Sequence, residues 1–268
     1  MRYVFFDRFW HQTLQRPYKL AVTIDQGQGQ PVVLLHGIGS SGQVWRRVAA
    51  QLSDKPVHLL AFDLLGFGAS PKPEWPQYSV DDHARAVIAS IKAARLRRPV
   101  VLVGHSMGSL VAVRIARLQP GLVKRLILYE MPLYAGLPDL RRYNVQRNVY
   151  LSIYKRIAKH PEPLFSGSQK LRNMVARLTG FEVGAETWPP FVKSLEHTIM
   201  QQNTLADIKN LTVPMDVIYG SLDMVVIRGK PKQIFGEIAD LTTHTIVQPH
   251  AISARASKFI AQRIEAAL

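Results

Sequence analysis

Short unbroken apolar runs alternate along this chain with longer segments of helical period. Pro31-Val32-Val33-Leu34-Leu35 leads into His36-Gly37 and a glycine-rich stretch, followed by a helical segment over 44–52. A second run, 58–62, ends in a polar, glycine-rich loop over 63–70. The spacing over 80–96 predicts a long helix, with Ser79 as its N-cap and Asp81 and Asp82 in the first turn, where the helix dipole favours acids. Residues 99–103 are unalternated and β-branched, as a strand covered on both faces requires. Residues 107–118 read as a mostly buried helix in which Gly108, Ala112 and Ala116 permit close packing. Residues 126–129, 217–219 and 245–247 supply three more strands, and 253–268 a closing amphipathic helix.

Strand and helix alternate, which predicts an α/β chain with a mostly parallel central sheet and helices on both faces. One region breaks the alternation. Residues 133–208 contain helical patterns but no convincing strand, and include Trp188-Pro189-Pro190. They read as an inserted helical subdomain, a cap or lid, between two parts of one core, 1–132 and 209–268. There is no internal repeat and no low-complexity tract.

Composition narrows the class. The chain has 268 residues, 47% of them hydrophobic and 20% charged, enough for a substantial core and unlike a disordered chain. With no cysteine there is no disulfide framework, thiolate metal site or thiol nucleophile. No uncharged apolar run approaches the ~18–20 residues that span a bilayer. The apolar start MRYVFFDRFWHQ is broken at Asp7 and Arg8, unlike a signal peptide. A cytoplasmic location is the expectation. The formal charge of +15 points on its own to phosphates, anionic membranes or acidic substrates.

The sharpest chemical signal is Gly104-His105-Ser106-Met107-Gly108, between the buried strand and the buried helix. A G-x-S-x-G arises by chance in roughly one chain in fifteen of this length, so its context decides its meaning. Two glycines allow a tight strand-to-helix turn that pushes the serine hydroxyl out at the carboxyl end of a sheet. Upstream, Leu35-His36-Gly37-Ile38-Gly39-Ser40-Ser41-Gly42 also follows a buried strand. Such a loop can aim backbone N–H groups at an oxyanion, and the amides of Ile38 and Met107 are the candidate donors. A phosphate-cradling loop is not matched: no lysine follows in the P-loop pattern, and G-x-G-x-x-G is absent. His36 reads as structural, orienting its loop.

A serine hydroxyl needs a base, and the base an orienting acid. Among nine histidines, His250 follows Gln248-Pro249 just past the final strand, at the edge where Ser106 should emerge. His244 and His105 have structural readings. Asp223, in Ile218-Tyr219-Gly220-Ser221-Leu222-Asp223, is the first candidate acid. Glu130, straight after the 126–129 strand, is the second candidate, with a cap salt bridge as its readier role. The order Ser106, Asp223, His250 is the order Ser…Asp/Glu…His.

These residues together resemble the α/β-hydrolase fold superfamily, in its capped esterase/lipase-like group. The resemblance spans nearly the whole chain and rests on His36-Gly37, Asp63-Leu64-Leu65-Gly66-Phe67-Gly68-Ala69-Ser70, the GHSMG elbow, Asp223 and His250. The segment from Asp63 resembles the family's D-x-x-G-x-G-x-S loop, which is structural. Pro249 stands where many relatives carry glycine before the histidine, and Ser109 follows the elbow where a further glycine is common. A serine at the elbow sets the chain apart from the dehalogenase and epoxide-hydrolase branches, which use aspartate there.

The resemblance implies ester hydrolysis of a small-molecule acyl substrate through an acyl-enzyme, without cofactor or metal. C–C, thioester or amide cleavage by the same triad stays open, as does a perhydrolase or oxygenase. So does a ligand-binding or signalling protein on a hydrolase scaffold. Tyr134, Leu137, Trp188 and Phe191 are candidate pocket walls, though self-packing of the cap explains most of them. Nine basic residues and no acid lie between His83 and Tyr129; nine more against Glu162 alone lie between Arg141 and Arg177. The first group is expected as a solvated face opposite the catalytic edge. The second could guide an anionic substrate or rest weakly on an anionic surface. No nucleic-acid partner is expected.

Overall fold

The computed structural model of the chain describes residues 8–14, 16–134, 141–159, 184–223, 226, 234–236 and 238–268. Outside these lie Asp7, Leu137, the basic residues from 170 to 177 and much of the insertion expected over 133–208. Seven strands form one sheet: β1 (Val22–Gly27), β2 (Gln30–Leu35), β3 (Val57–Phe62), β4 (Val100–His105), β5 (Val123–Tyr129), β6 (Met215–Gly220) and β7 (Leu241–Ile246). Their order is β1-β3-β2-β4-β5-β6-β7, with β1 antiparallel to β3 and every other pairing parallel.

Alternate side chains of the central strands enter two separate cores. Val33 and Leu35 of β2, with Val100 and Leu102 of β4, join one apolar cluster; Val32, Leu34, Val101 and Val103 join the other. A strand covered on both faces needs apolar residues at every position, which is why these segments show no alternation. The first cluster is completed by α2 (Val80–Ala93), α3 (Met107–Leu118), α5 (Trp188–Ser194) and α6 (Thr204–Lys209). The second is completed by Trp45, α1 (Arg46–Gln51) and α7 (Ala254–Glu265). In chain order α4 (Arg141–Lys159) lies between β5 and α5. The expected doubly covered α/β sheet is present, and among the described residues no strand lies between β5 and β6.

Local chemistry sets the helix ends. Ser79 Oγ accepts the Asp82 N–H at 3.2 Å, and Asp82 Oδ2 accepts the Ser79 N–H at 3.0 Å. This reciprocal capping satisfies two groups that the first turn of α2 leaves open. The helix ends at Ala93, three residues before the periodicity does, and Arg95 takes a left-handed φ of 51°.

The basic stretch before β5 is only partly solvated. Arg114 Nε lies 2.6 Å from Asp81 Oδ1 and its Nη1 3.2 Å from Asp207 Oδ2, joining α2, α3 and α6. Arg125 Nη1 lies 2.7 Å from Asp216 Oδ2, and His244 Nε2 lies 2.8 Å from Asp216 Oδ1. Arg114 and Arg125 thus depart from the solvated-face expectation, because acids distant in sequence are brought beside them. Arg85, Arg97 and Arg98 remain exposed. Among the described residues, no helix is long and apolar enough to cross a membrane.

Candidate active site

Ser106 sits between the end of β4 and the start of α3 with φ 51° and ψ −122°, a conformation disfavoured for a side chain with a Cβ. The surrounding backbone over-determines it. The Ser106 N–H donates to the Tyr129 carbonyl at 2.9 Å, and the Ser109 N–H to the Ser106 carbonyl at 2.9 Å. Ser109, at the position that departs from the family pattern, donates its hydroxyl to the Gly104 carbonyl at 2.8 Å. Gly108 is dictated by proximity: a Cβ there would fall 2.4 Å from the Leu35 carbonyl oxygen and 2.6 Å from that of His36. Helix α3 therefore starts hard against the end of β2.

The loop after β2 is held by side chains of the next strand's loop. The His36 ring takes the Leu64 N–H on Nε2 at 2.8 Å and gives Nδ1–H to the Gly37 carbonyl at 2.7 Å. Both ring nitrogens are committed, and burial lowers its pKa to about 4. Asp63 accepts from Thr23 Oγ1 at 2.8 Å, from the Gly42 N–H at 2.7 Å and from the Ala69 N–H at 2.8 Å. Ile38 is buried within this braced loop, and Met107 is the first residue of α3, where a helix leaves its amide without an internal acceptor.

His250 and Asp223 meet as a buried pair. His250 Nδ1 lies 2.7 Å from Asp223 Oδ2, with the two side chains 2% and 0% exposed. Asp223 Oδ1 accepts the Val226 N–H at 3.2 Å. His250 Nε2 is buried and has no hydrogen-bond partner among the described residues. The elbow reaches this loop through His105, whose Nε2–H donates to the His250 carbonyl at 2.9 Å. The His105 and His250 rings lie 5.0 Å apart between centroids. Burial first, and then the neighbouring His250, lower the His105 pKa to about 3, so this ring is neutral. Tyr129 donates its hydroxyl to the Pro249 carbonyl at 3.1 Å, bracing the same loop. Among the described residues no hydrogen bond joins Ser106 Oγ to His250. Ser106 itself is 4% exposed.

Glu130, Asp223 and His250 place ligand-type atoms within 4.8 Å of one another, but the His250 Nδ1 line is already taken by Asp223. Cavities among the described residues lie off this cluster. A groove of about 390 Å³ runs between Ser40, Ser41, Gly68 and Lys72 on one side and residues 184–187 on the other. Another of about 580 Å³ lies along α2, lined by Tyr18, Trp75, Arg85 and Lys92. Tyr134 and Phe191 are buried, and Trp188 stacks on Phe191 with centroids 5.4 Å apart, so these aromatics pack into the protein.

The sequence pattern of residues 32–259 matches the model of the alpha/beta hydrolase family. The chain belongs to that family. Among its hydrolase relatives, a 2-hydroxy-6-oxo-6-(2'-aminophenyl)hexa-2,4-dienoic acid hydrolase of Metapseudomonas resinovorans is 26% identical over 214 residues, 76% of this chain and 71% of that protein. A pimeloyl-[acyl-carrier protein] methyl ester esterase of Legionella pneumophila is 26% identical over 203 residues, 74% of this chain and 78% of that protein. The enol-lactonase from Burkholderia xenovorans shares the fold with a TM-score of 0.70 and 18% identity, over 92% of this chain and 95% of that one. The match to Mycobacterium tuberculosis protein of 40% identity extends over 102 residues and spans 29% of that protein's length.

The sequence reading of this alpha/beta hydrolase missed His83. It lies wholly buried on α2, with Nε2 3.0 Å from Ser194 Oγ. Nothing in the sequence pairs residues 111 positions apart. Its polar type on the buried face of a helix was the available signal.

Proposed function

We propose that the chain is a serine hydrolase cleaving a carboxylic ester of a small-to-medium substrate. The observation that carries this reading is the buried Asp223–His250 pair, 2.7 Å apart, tied through His105 to the strained Ser106 turn. His250 Nε2 takes the Ser106 proton as Oγ attacks the ester carbonyl, and Asp223 holds the ring with Nδ1 protonated. The amides of Ile38 and Met107 receive the oxyanion, a contribution commonly worth about 3–4 kcal/mol per donor. Collapse expels the alkoxide, which takes the proton from His250. Water then repeats the steps on the acyl-enzyme.

Residues 133–208 serve as a cap over the core 1–132 and 209–268. Their described C-terminal part packs on the core through Ser194 and through Thr198 Oγ1, which donates to the Tyr78 carbonyl at 2.8 Å. Arg141, Lys155 and Arg156 of α4 are exposed, which supports weak association with anionic groups. The dienoic acid hydrolase relative favours a second reading, in which the same triad hydrolyses a bond beside a ketone.

The test is a panel of p-nitrophenyl esters and a fluorophosphonate probe applied to wild type and Ser106→Ala. The expected result is labelling at Ser106 and loss of turnover by at least about 10³-fold in the variant. Wild-type turnover by Ser106→Ala would overturn the proposal.

A further inference from the structure

Glu130 is a buried carboxylate beside the Asp223–His250 pair that this mechanism leaves unused. It follows β5 directly, has a left-handed φ of 52° and is wholly buried. Its N–H donates to the Ile218 carbonyl at 2.9 Å, and its Oε1 accepts the Gly220 N–H. The approach is tight enough to require glycine: a Cβ at Gly220 would fall 2.4 Å from Glu130 Oε1 and 2.2 Å from the Gln248 carbonyl oxygen. Gly220 in turn accepts the Asp223 N–H at 3.2 Å, closing the turn that presents the Asp223 carboxylate. Glu130, Asp223 and His250 then bring their polar atoms within 4.8 Å of one another.

We propose that Glu130 is a positioning residue for His250, a second carboxylate that fixes the Asp223 turn and orients the imidazole when Asp223 is removed. This rests on the serine-hydrolase reading above. A backbone anchor alone would need only an acceptor for the Gly220 N–H, which a glutamine side chain also offers. A carboxylate adds charge beside the imidazolium that forms during acylation. The titratable groups around it are Asp223 and Tyr219 at the end of β6, Tyr129 at the end of β5, His105 in the elbow, and His250 itself. Burial, followed by the charges of Glu130 and then Asp223, pushes both tyrosine hydroxyls up, so these remain neutral donors.

The experiment compares wild type, Glu130→Gln, Asp223→Ala, the double variant and Ser106→Ala. It measures kcat/KM against pH with a p-nitrophenyl ester and the rate of fluorophosphonate labelling, with circular dichroism to check folding. Glu130→Gln should fold, lose about 3–10-fold in kcat/KM, and move the histidine limb of the profile to lower pH by roughly half a unit or more. Asp223→Ala should stay at least about tenfold above the double variant, which should fall to the Ser106→Ala level. A wild-type pH profile in Glu130→Gln, together with an Asp223→Ala as inactive as the double variant, overturns the proposal. Should Glu130→Gln fail to fold, Asp223→Ala decides: activity above Ser106→Ala with a histidine limb supports it, and activity at the Ser106→Ala level overturns it. Undiminished turnover by Ser106→Ala would instead overturn the serine-hydrolase reading, and this proposal with it.

Discussion

Nε2 of His83, in the first turn of α2, lies 3.0 Å from Oγ of Ser194, the last residue of α5, and both side chains are wholly buried. The contact joins a core helix to the segment between β5 and β6. Replacing Ser194 with alanine leaves a buried ring nitrogen without its partner. The expected cost is about 1–3 kcal/mol in urea unfolding, with faster proteolysis near residues 184–203. An unchanged midpoint and cleavage rate would show that this bond does not hold the segment.

Three buried histidines make the protein acid-sensitive. Burial is the first cause lowering His36 to about 4 and His83 and His105 to about 3, against an ordinary value of 6.5. Below pH 6.5 the unfolded chain binds protons that the folded chain refuses, so stability falls with pH until the folded-state values are reached. At about 1.4 kcal/mol per pH unit for each group, the loss between pH 7 and pH 5 should total about 5 kcal/mol. Urea midpoints at pH 5, 6 and 7 test this, and a flat series would contradict it.

Gly108→Ala drives a methyl into two backbone carbonyls, of Leu35 and His36, which cannot swing aside as a side chain would. The expected loss is about 3 kcal/mol or more, or failure to fold. Thermal unfolding of the purified variant is the check. A variant as stable as wild type would mean that α3 can draw back from β2.

Asp216 offers a contrasting case. It is 4% exposed and pairs with both Arg125 and His244, but it lies near the start of β6, at the opposite edge from Ser106. Asp216→Ala should cost about 2–3 kcal/mol, tempered by the partly exposed partners, while kcat per folded molecule stays within about twofold of wild type. Active-site titration with the fluorophosphonate probe alongside urea unfolding separates the two effects.

The central strands were legible because burial on both faces writes itself as an unbroken apolar run, and α3 was read to the residue. The antiparallel β1 was not. Its sequence, Val-Thr-Ile-Asp-Gln-Gly, buries only Ile24, so an edge strand looks like a loop. β7 was read as starting four residues late and ending one late for the same reason: Leu-Thr-Thr-His-Thr-Ile has no fully buried position. At the site, the expected pairing of His250 with Asp223 is present, since strand ends and chain order narrow the choice. The contacts of Glu130 with Gly220 and of Arg114 with Asp81 and Asp207 could not be read, because they join residues 90, 33 and 93 positions apart.

β6 bears an Asp–His pair at each of its two ends, Asp216 with His244 and Asp223 with His250. Both are imidazole–carboxylate contacts, through Nε2 of His244 at 2.8 Å and through Nδ1 of His250 at 2.7 Å. Direction separates them further. A parallel sheet has a head and a tail, and every strand that runs with β6 delivers its turn to the same rim. Only at the head does a pair find a serine elbow and a braced glycine loop waiting; at the tail it finds Arg125 and solvent. Polarity of the sheet is what sets one pair on the rim of the Ser106 turn and leaves the other beside Arg125.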